Sequence, residues 1–254
     1  MSIDPSVKIT DDGSHTLYSE QFNQHYHNPN GAVAESRHVF FKQSGLLEAL
    51  KSNQPINILE IGLGTGLNLL LLMDYLKTYD SKAKILYYSI EGWPISRKTV
   101  TNLNYGQHLN HPKLAGKLPP LFDSLTKGMN TTQLLQNLET HIFYGLFENF
   151  NPAGEQFNFI FQDAFSPAAN PELWTGDVFK KLLKWSLPDA VMTTYCAASK
   201  AKGAMAWAGW KVAKAEGALG KREMTVASPS AEPLAHLKRI NEERLAHRYE
   251  ENDF

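Results

Sequence analysis

A single cysteine, Cys196, stands in the whole chain. One thiol excludes an internal disulfide framework and fits a reducing compartment. No run of about 18 uninterrupted apolar residues occurs, which argues against a helical membrane span. The opening residues, Met1-Ser2-Ile3-Asp4-Pro5, show no basic segment followed by an apolar one. These absences together predict a cytoplasmic protein without a membrane partner. No internal repeat or low-complexity tract is present, and the nine histidines follow no metal-ligand spacing, so no metal is expected. A net charge of −1 speaks against wholesale non-specific binding of nucleic acid. What is present is a chain of 254 residues, 43% hydrophobic and 20% charged. That is enough for one large α/β domain, or a domain with an appendage, around a sizeable core.

The charge is unevenly spread. Residues 178–222 hold nine Lys and Arg, among them Lys180, Lys181, Lys184, Lys221 and Arg222, against two acids, Asp189 and Glu216. An excess of seven positive charges reads either as solvated helix faces or as a footprint for a phosphate backbone.

Periodicity divides the chain into three parts: an extension over 1–50, a main domain over 51–230 and a helical tail over 231–254. In the extension, short strands are expected at Val7–Ile9 and Thr16–Tyr18, followed by the aromatic and Asn/Gly-rich stretch 25–31. His25, Tyr26 and His27 there are candidates for a lid. From residue 53 strands alternate with helices. Strands are expected at Ile56–Ile61, Ile85–Ile90, His141–Tyr144, Phe157–Phe161, Ala190–Tyr195, Trp210–Ala215 and Glu223–Ala227. Helices are expected at Leu67–Lys77, Ile95–Leu103, Gln133–Leu138, Asp177–Trp185, Ser199–Ala208 and in the tail, Ala231–Tyr249. Such alternation implies right-handed crossovers and a mostly parallel, seven-stranded sheet with helices on both faces. Ligands of such sheets sit beyond the carboxyl ends of the strands.

The first strand exits into Glu60-Ile-Gly62-Leu-Gly64-Thr-Gly66-Leu-Asn68. Its glycines let the backbone turn tightly and approach a ligand closely. A dinucleotide fingerprint would need glycine at 67, where leucine stands, and a phosphate loop would need Gly-Lys-Ser/Thr. The acid-x-G-x-G-x-G order instead resembles the S-adenosylmethionine loop of class I, Rossmann-like methyltransferases. In that pattern Glu60 balances the donor's ammonium group, with Gly62, Gly64, Gly66 and Asn68 around it. Glu91, at the exit of the second strand, is the candidate partner of the ribose hydroxyls. Gly145 lies where the adenine is expected. Leu146 beside it offers no side-chain hydrogen bond, so the backbone or a neighbouring residue must serve.

Further segments narrow the resemblance. Tyr18-Ser19, Asn30-Gly31, Glu35-Ser-Arg-His-Val-Phe40, the glycine loop, Ser89-Ile-Glu91, Asp163 through Thr175 and Lys221-Arg-Glu-Met224 are similar to the methyltransferases of the MnmC type. Those enzymes complete 5-methylaminomethyl-2-thiouridine at the wobble position of tRNA. The likeness runs from about residue 18 to 227, and Asp163–Thr175 is its most specific block; Ala164 replaces the family's usual glycine. The resemblance implies a stand-alone N-methyltransferase that uses S-adenosylmethionine and no FAD. Its partner would be tRNA, with the enzymes acting upstream on the same uridine as candidate partners.

Asp163 and Phe165 are the candidate catalytic residues. An amine must lose its proton to become a nucleophile, and a carboxylate can orient it and receive that proton. Phe165, Pro167 and Trp174 would wall a splayed-out base, while Lys221 and Arg222 would hold phosphates or the donor's carboxylate. Asp163 as a contact of the donor's amino end, or as a turn cap, stays open. Rival functions are a small-molecule amine methyltransferase and a non-catalytic partner that binds donor or tRNA.

Overall fold

A computed structural model describes residues 4–254. The extension forms a three-stranded antiparallel sheet of Ser6–Ile9 (β1), His15–Ser19 (β2) and Gln24–His25 (β3). Ala32–Ser36 (α1), a π-helical turn over Arg37–Lys42, and Leu46–Ala49 (α2) follow. The main domain runs Ile56–Ile61 (β4), Leu67–Thr78 (α3), Ile85–Glu91 (β5), Arg97–Thr101 (α4), Leu118–Asp123 (α5), Gly128–Leu135 (β6) and Leu138–Tyr144 (β7). Phe157–Gln162 (β8), Gly176–Lys184 (α6), Ser186–Thr194 (β9), Ser199–Trp207 (α7), Lys211–Ala215 (β10), Met224–Ser228 (β11), Lys238–Arg239 (β12) and Glu242–Glu250 (α8) complete it.

The large sheet has the order β12-β10-β11-β9-β8-β4-β5-β7-β6. Its central strands β9, β8, β4, β5 and β7 are parallel, and antiparallel pairs close both edges. The Rossmann-like expectation is met, with nine strands where seven were expected. Two local readings account for the difference. Gln133–Leu138 is the end of one strand, a tight turn and the start of the next, so the expected helix is absent. Burial alternates along β6, with Met129, Thr131 and Gln133 exposed, and β-branched Thr131 and Thr132 suit a strand. Within the tail, Lys238–Arg239 joins β10 as a ninth strand, and the expected helix begins only at Glu242. Asn241 caps it, its side chain accepting from the Arg244 N–H.

Burial explains where the parts sit. Along β4, Ile56 and Ile58 face one apolar cluster while Leu59 and Ile61 face the other, the two-residue alternation of a strand buried on both sides. The first cluster includes α3 and the extension's Leu17, Val39, Phe40, Phe41, Leu46 and Leu50. The second includes Val178, Phe179 and Leu182 of α6 with Ala204 and Met205 of α7. The extension therefore packs into the same core as the sheet. Strand β4 has β5 on one side and β8 on the other, so the chain order reverses at β4. A crevice opens beyond its carboxyl end, as such switch points require.

Candidate active site

The crevice is a cavity of about 310 Å3. Its floor comes from the exits of β4, β5 and β8: Gly62 and Gly64, Glu91, and Asp163. Two glycines are demanded by geometry. Gly62 has φ 94°, and a Cβ there would stand 3.0 Å from the Asp163 carbonyl oxygen. Gly64 has φ 54°, and its Cβ would meet the Tyr26 ring at 3.3 Å. Larger residues would be strained at both and would push the loop from the β8 exit or from the Tyr26 ring.

Beneath the loop lies a chain of carboxylates. Glu60 is fully buried; its two oxygens accept from the Asn68 amide and the Ser89 hydroxyl, each at 2.9 Å. The Asn68 amide also donates to Asp163 at 2.9 Å, so one Nδ2 joins two acids from neighbouring strands. Burial pushes Glu60 up to about 7. It pushes Asp163 well above the usual carboxylate range, with the Glu60 and Glu35 charges adding to the effect. Glu91 is also raised by burial, although its oxygens accept from the Gly64 and Trp93 N–H groups, each at 2.8 Å. Carboxyls so placed gain from a cation brought among them. The buried Asn68 Oδ1 has no partner among the described residues.

Aromatic rings form the mouth. Phe165 lies tilted against Phe22 at 4.7 Å and edge-on to Tyr26 at 5.0 Å, and Phe22 meets Trp93 edge-on at 5.4 Å. Gln24 fastens this wall to the Asp163 turn by accepting from the Ser166 hydroxyl at 2.7 Å. His27 also lines the cavity; burial lowers it to about 4, so it is neutral at pH 7. The far end is closed by Gly145, Leu146, Leu173, Val178 and Lys181.

Of the residues singled out from sequence, Gly62, Gly64, Asn68, Glu91, Gly145, Asp163 and Phe165 share the cavity. Glu60 and Gly66 lie behind its surface, Glu60 reaching it through Asn68. Trp174 and Pro167 do not line it. Trp174 is buried, and its indole N–H donates to the Phe165 carbonyl at 2.7 Å, so it braces the turn that carries Phe165. Lys221 points to Glu35 at 2.8 Å, while Arg222 is exposed. The cationic stretch is broken up: Lys202 and Lys214 both engage Glu223, and Lys221 engages Glu35. Tyr26 and His27 line the cavity, whereas His25 stacks edge-on against Tyr18. Phe22 and Trp93 are not among the residues that stand out in the sequence; the place of Trp93 two residues after Glu91 is the available signal.

Comparison with known proteins agrees with this arrangement. A family described as S-adenosyl-L-methionine-dependent methyltransferase matches residues 126–230. The tRNA 5-methylaminomethyl-2-thiouridine biosynthesis bifunctional protein MnmC of Aromatoleum aromaticum is 32% identical over 231 residues, 88% of this chain and 35% of that protein. Its namesake in a Marinomonas species is 29% identical over 240 residues, 91% of this chain and 35% of that one. The chain thus spans about a third of the length of the curated relatives it matches. The crystal structure of MnmC2 from Aquifex aeolicus superposes with a TM-score of 0.75 at 23% identity, covering 96% of this chain and 75% of that one. Loop, sheet and family match agree: the chain belongs to the S-adenosyl-L-methionine-dependent methyltransferases, in the family of the MnmC methyltransferase domain.

Proposed function

We propose that this protein methylates the exocyclic amine of 5-aminomethyl-2-thiouridine at the tRNA wobble position, giving 5-methylaminomethyl-2-thiouridine. The observation that carries the reading is Asp163, a carboxylate at the base of an aromatic-mouthed cavity beside the glycine loop. The names of the curated relatives support the same substrate.

The residues fit S-adenosylmethionine. Gly62 and Gly64 line the cavity without side chains of their own, and Asn68 keeps an unpartnered buried acceptor. Glu60 and Asp163 are a pair of buried acids without a cation between them. In this reading Glu60, through Asn68, balances the donor's ammonium group, and Glu91 holds the ribose. When bound, the donor supplies a methyl group on a sulfonium, open to in-line attack. Asp163 would accept a hydrogen bond from the acceptor amine, align its lone pair, and take up the proton the amine releases as the methyl passes from sulfur to nitrogen and the thioether leaves. Phe165, Phe22, Tyr26 and Trp93 exclude water and present flat faces to a base turned out of its stack. Exposed Arg222 is a candidate contact for phosphate.

The test is direct. Protein is incubated with S-adenosylmethionine and tRNA from cells lacking this modification, and the nucleosides are analysed by mass spectrometry. A gain of one methyl group on aminomethyl-thiouridine is expected; its absence refutes the assignment. The pairing of Lys202, Lys214 and Lys221 with acids favours a second reading, transfer to a small free amine that needs no cationic surface. Equal turnover of the free nucleoside and of tRNA would select that reading.

A further inference from the structure

Two segments that the proposed chemistry leaves without a role meet in the fold. Glu35, on α1, is buried at 7% exposure. Lys221, 186 residues later in the turn before β11, donates to its Oε1 at 2.8 Å. The same carboxylate accepts from the Asn28 backbone N–H at 3.0 Å and from the Asn28 side chain at 3.3 Å. Asn28 directly follows His27 and Tyr26, which line the cavity. Lys221 also lies over the Tyr195 ring, 5.4 Å from its centre, and the Tyr195 hydroxyl donates to the Ala164 carbonyl at 2.8 Å. One ion pair therefore links the wall built by the extension to the residue next to Asp163.

We infer that Glu35 and Lys221 are a positioning pair. They lock the 22–28 segment against the cavity, and Lys221 offsets part of the Glu35 charge that bears on Asp163. The inference rests on Asp163 being the group that meets the acceptor. It also reassigns Lys221, which sequence alone placed among phosphate or donor contacts. Physical sense favours a matched pair here. A lone buried carboxylate would be costly, and Glu35 without its partner would push Asp163 further above the carboxylate range than burial and Glu60 already do. The charged and titratable groups that face Asp163 are Glu60 on β4, Tyr87 on β5, Glu35 on α1 and Tyr195 after β9, with Lys221 behind Glu35. Among these, Lys221 carries the only positive charge.

The signs separate this role from a merely structural one. Lys221→Met leaves the Glu35 charge bare, so Asp163 should titrate at higher pH. Glu35→Gln leaves the Lys221 charge bare, so Asp163 should titrate at lower pH. Each displacement should be about one pH unit. Lys221→Arg keeps the charge and should titrate like the parent. The readout is a carboxyl carbon-13 NMR titration of the full chain, with Asp163 assigned by loss of its signal in Asp163→Asn. Amide hydrogen exchange over residues 22–31 should quicken about ten-fold or more in Lys221→Met, as a local latch opens. Shifts of Asp163 in the same direction in both variants, or none in either, would overturn the inference. Unchanged exchange in Lys221→Met would do the same, as would Lys221→Arg behaving like Lys221→Met. Lys221 is exposed, so its variants keep the test open should Glu35→Gln fail to fold. Neither measurement needs tRNA. A parent protein that fails to methylate tRNA while these shifts appear would refute the substrate and leave the pair standing.

Discussion

Three acids and one imidazole around the cavity oppose each other as pH changes. Glu60 at about 7, with Glu91 and Asp163 also raised by burial, binds its proton more tightly in the folded state than in the unfolded one. For such groups the folded state holds more protons between the unfolded and folded values, so stability falls as pH rises through that interval. His27, lowered to about 4, works the other way: it costs stability as pH falls below its ordinary value of 6.5. Three carboxyls outweigh one ring, so the donor-free protein should melt at progressively lower temperature from about pH 4.5 to 7. In Glu60→Gln this slope should flatten, by on the order of 3 kcal/mol across the interval. Calorimetry of parent and variant over pH 4–8 checks both. A Glu60→Gln profile as steep as the parent's would contradict the burial of an ionisable Glu60.

Asp163 makes the sharpest kinetic claim. Asp163→Asn keeps the shape and a hydrogen-bonding oxygen but cannot take a proton. Turnover should fall about 10²- to 10⁴-fold, while calorimetric binding of S-adenosylmethionine changes little. Loss of donor binding in step with turnover would instead assign Asp163 to the donor's amino end.

Among the elements, the β4–α3 loop and the Asp163–Thr175 turn depend on each other. Gly62 approaches the Asp163 carbonyl, the Asp163 N–H donates to Ile61 at 3.1 Å, and Asn68 ties the two strand exits together. Gly62→Ala should therefore cost about 1 kcal/mol or more of stability, from its positive φ together with the 3.0 Å approach. It should also weaken donor binding, measured by titration calorimetry. A variant as stable as the parent, with unchanged affinity, would show that loop and turn are not coupled. Trp174 has its place at this scale too. In sequence it reads as part of a base-binding wall, since an aromatic beside prolines after a strand suggests a pocket. In the fold its ring fills the core side of the turn and its N–H holds the Phe165 carbonyl. The β6–β7 hairpin departs from the expected helix for a comparable reason: its edge strand is polar and carries no apolar stripe, and pairing with β7 decides it.

For the molecule as a whole, the division at residue 50 is a change of pattern in the sequence that the core does not respect. Leu17, Phe40, Phe41, Leu46 and Leu50 belong to the cluster that covers one face of the sheet. Phe41→Ala alone should cost about 3–5 kcal/mol, a large part of the stability of a domain. A chain lacking residues 1–50 should accordingly show no cooperative thermal transition by circular dichroism. A sharp transition near that of the full chain would make the extension an independent appendage. Among the described residues no helix is long and apolar enough to cross a membrane.

Local chemistry was enough to determine the parallel sheet, its glycine loop and the position of Glu91 and Asp163 at strand exits. Strand patterning and a run of glycines act over a few residues and leave their mark in order along the chain. The pairing of Asn68 with both acids, the ring cluster from Phe22 to Trp93, the inward turn of Trp174 and the Glu35–Lys221 link were decided only by tertiary structure. Each joins residues far apart in sequence, and burial, which no local pattern reports, sets whether a charge is paired, a ring is exposed or a carboxyl keeps its proton.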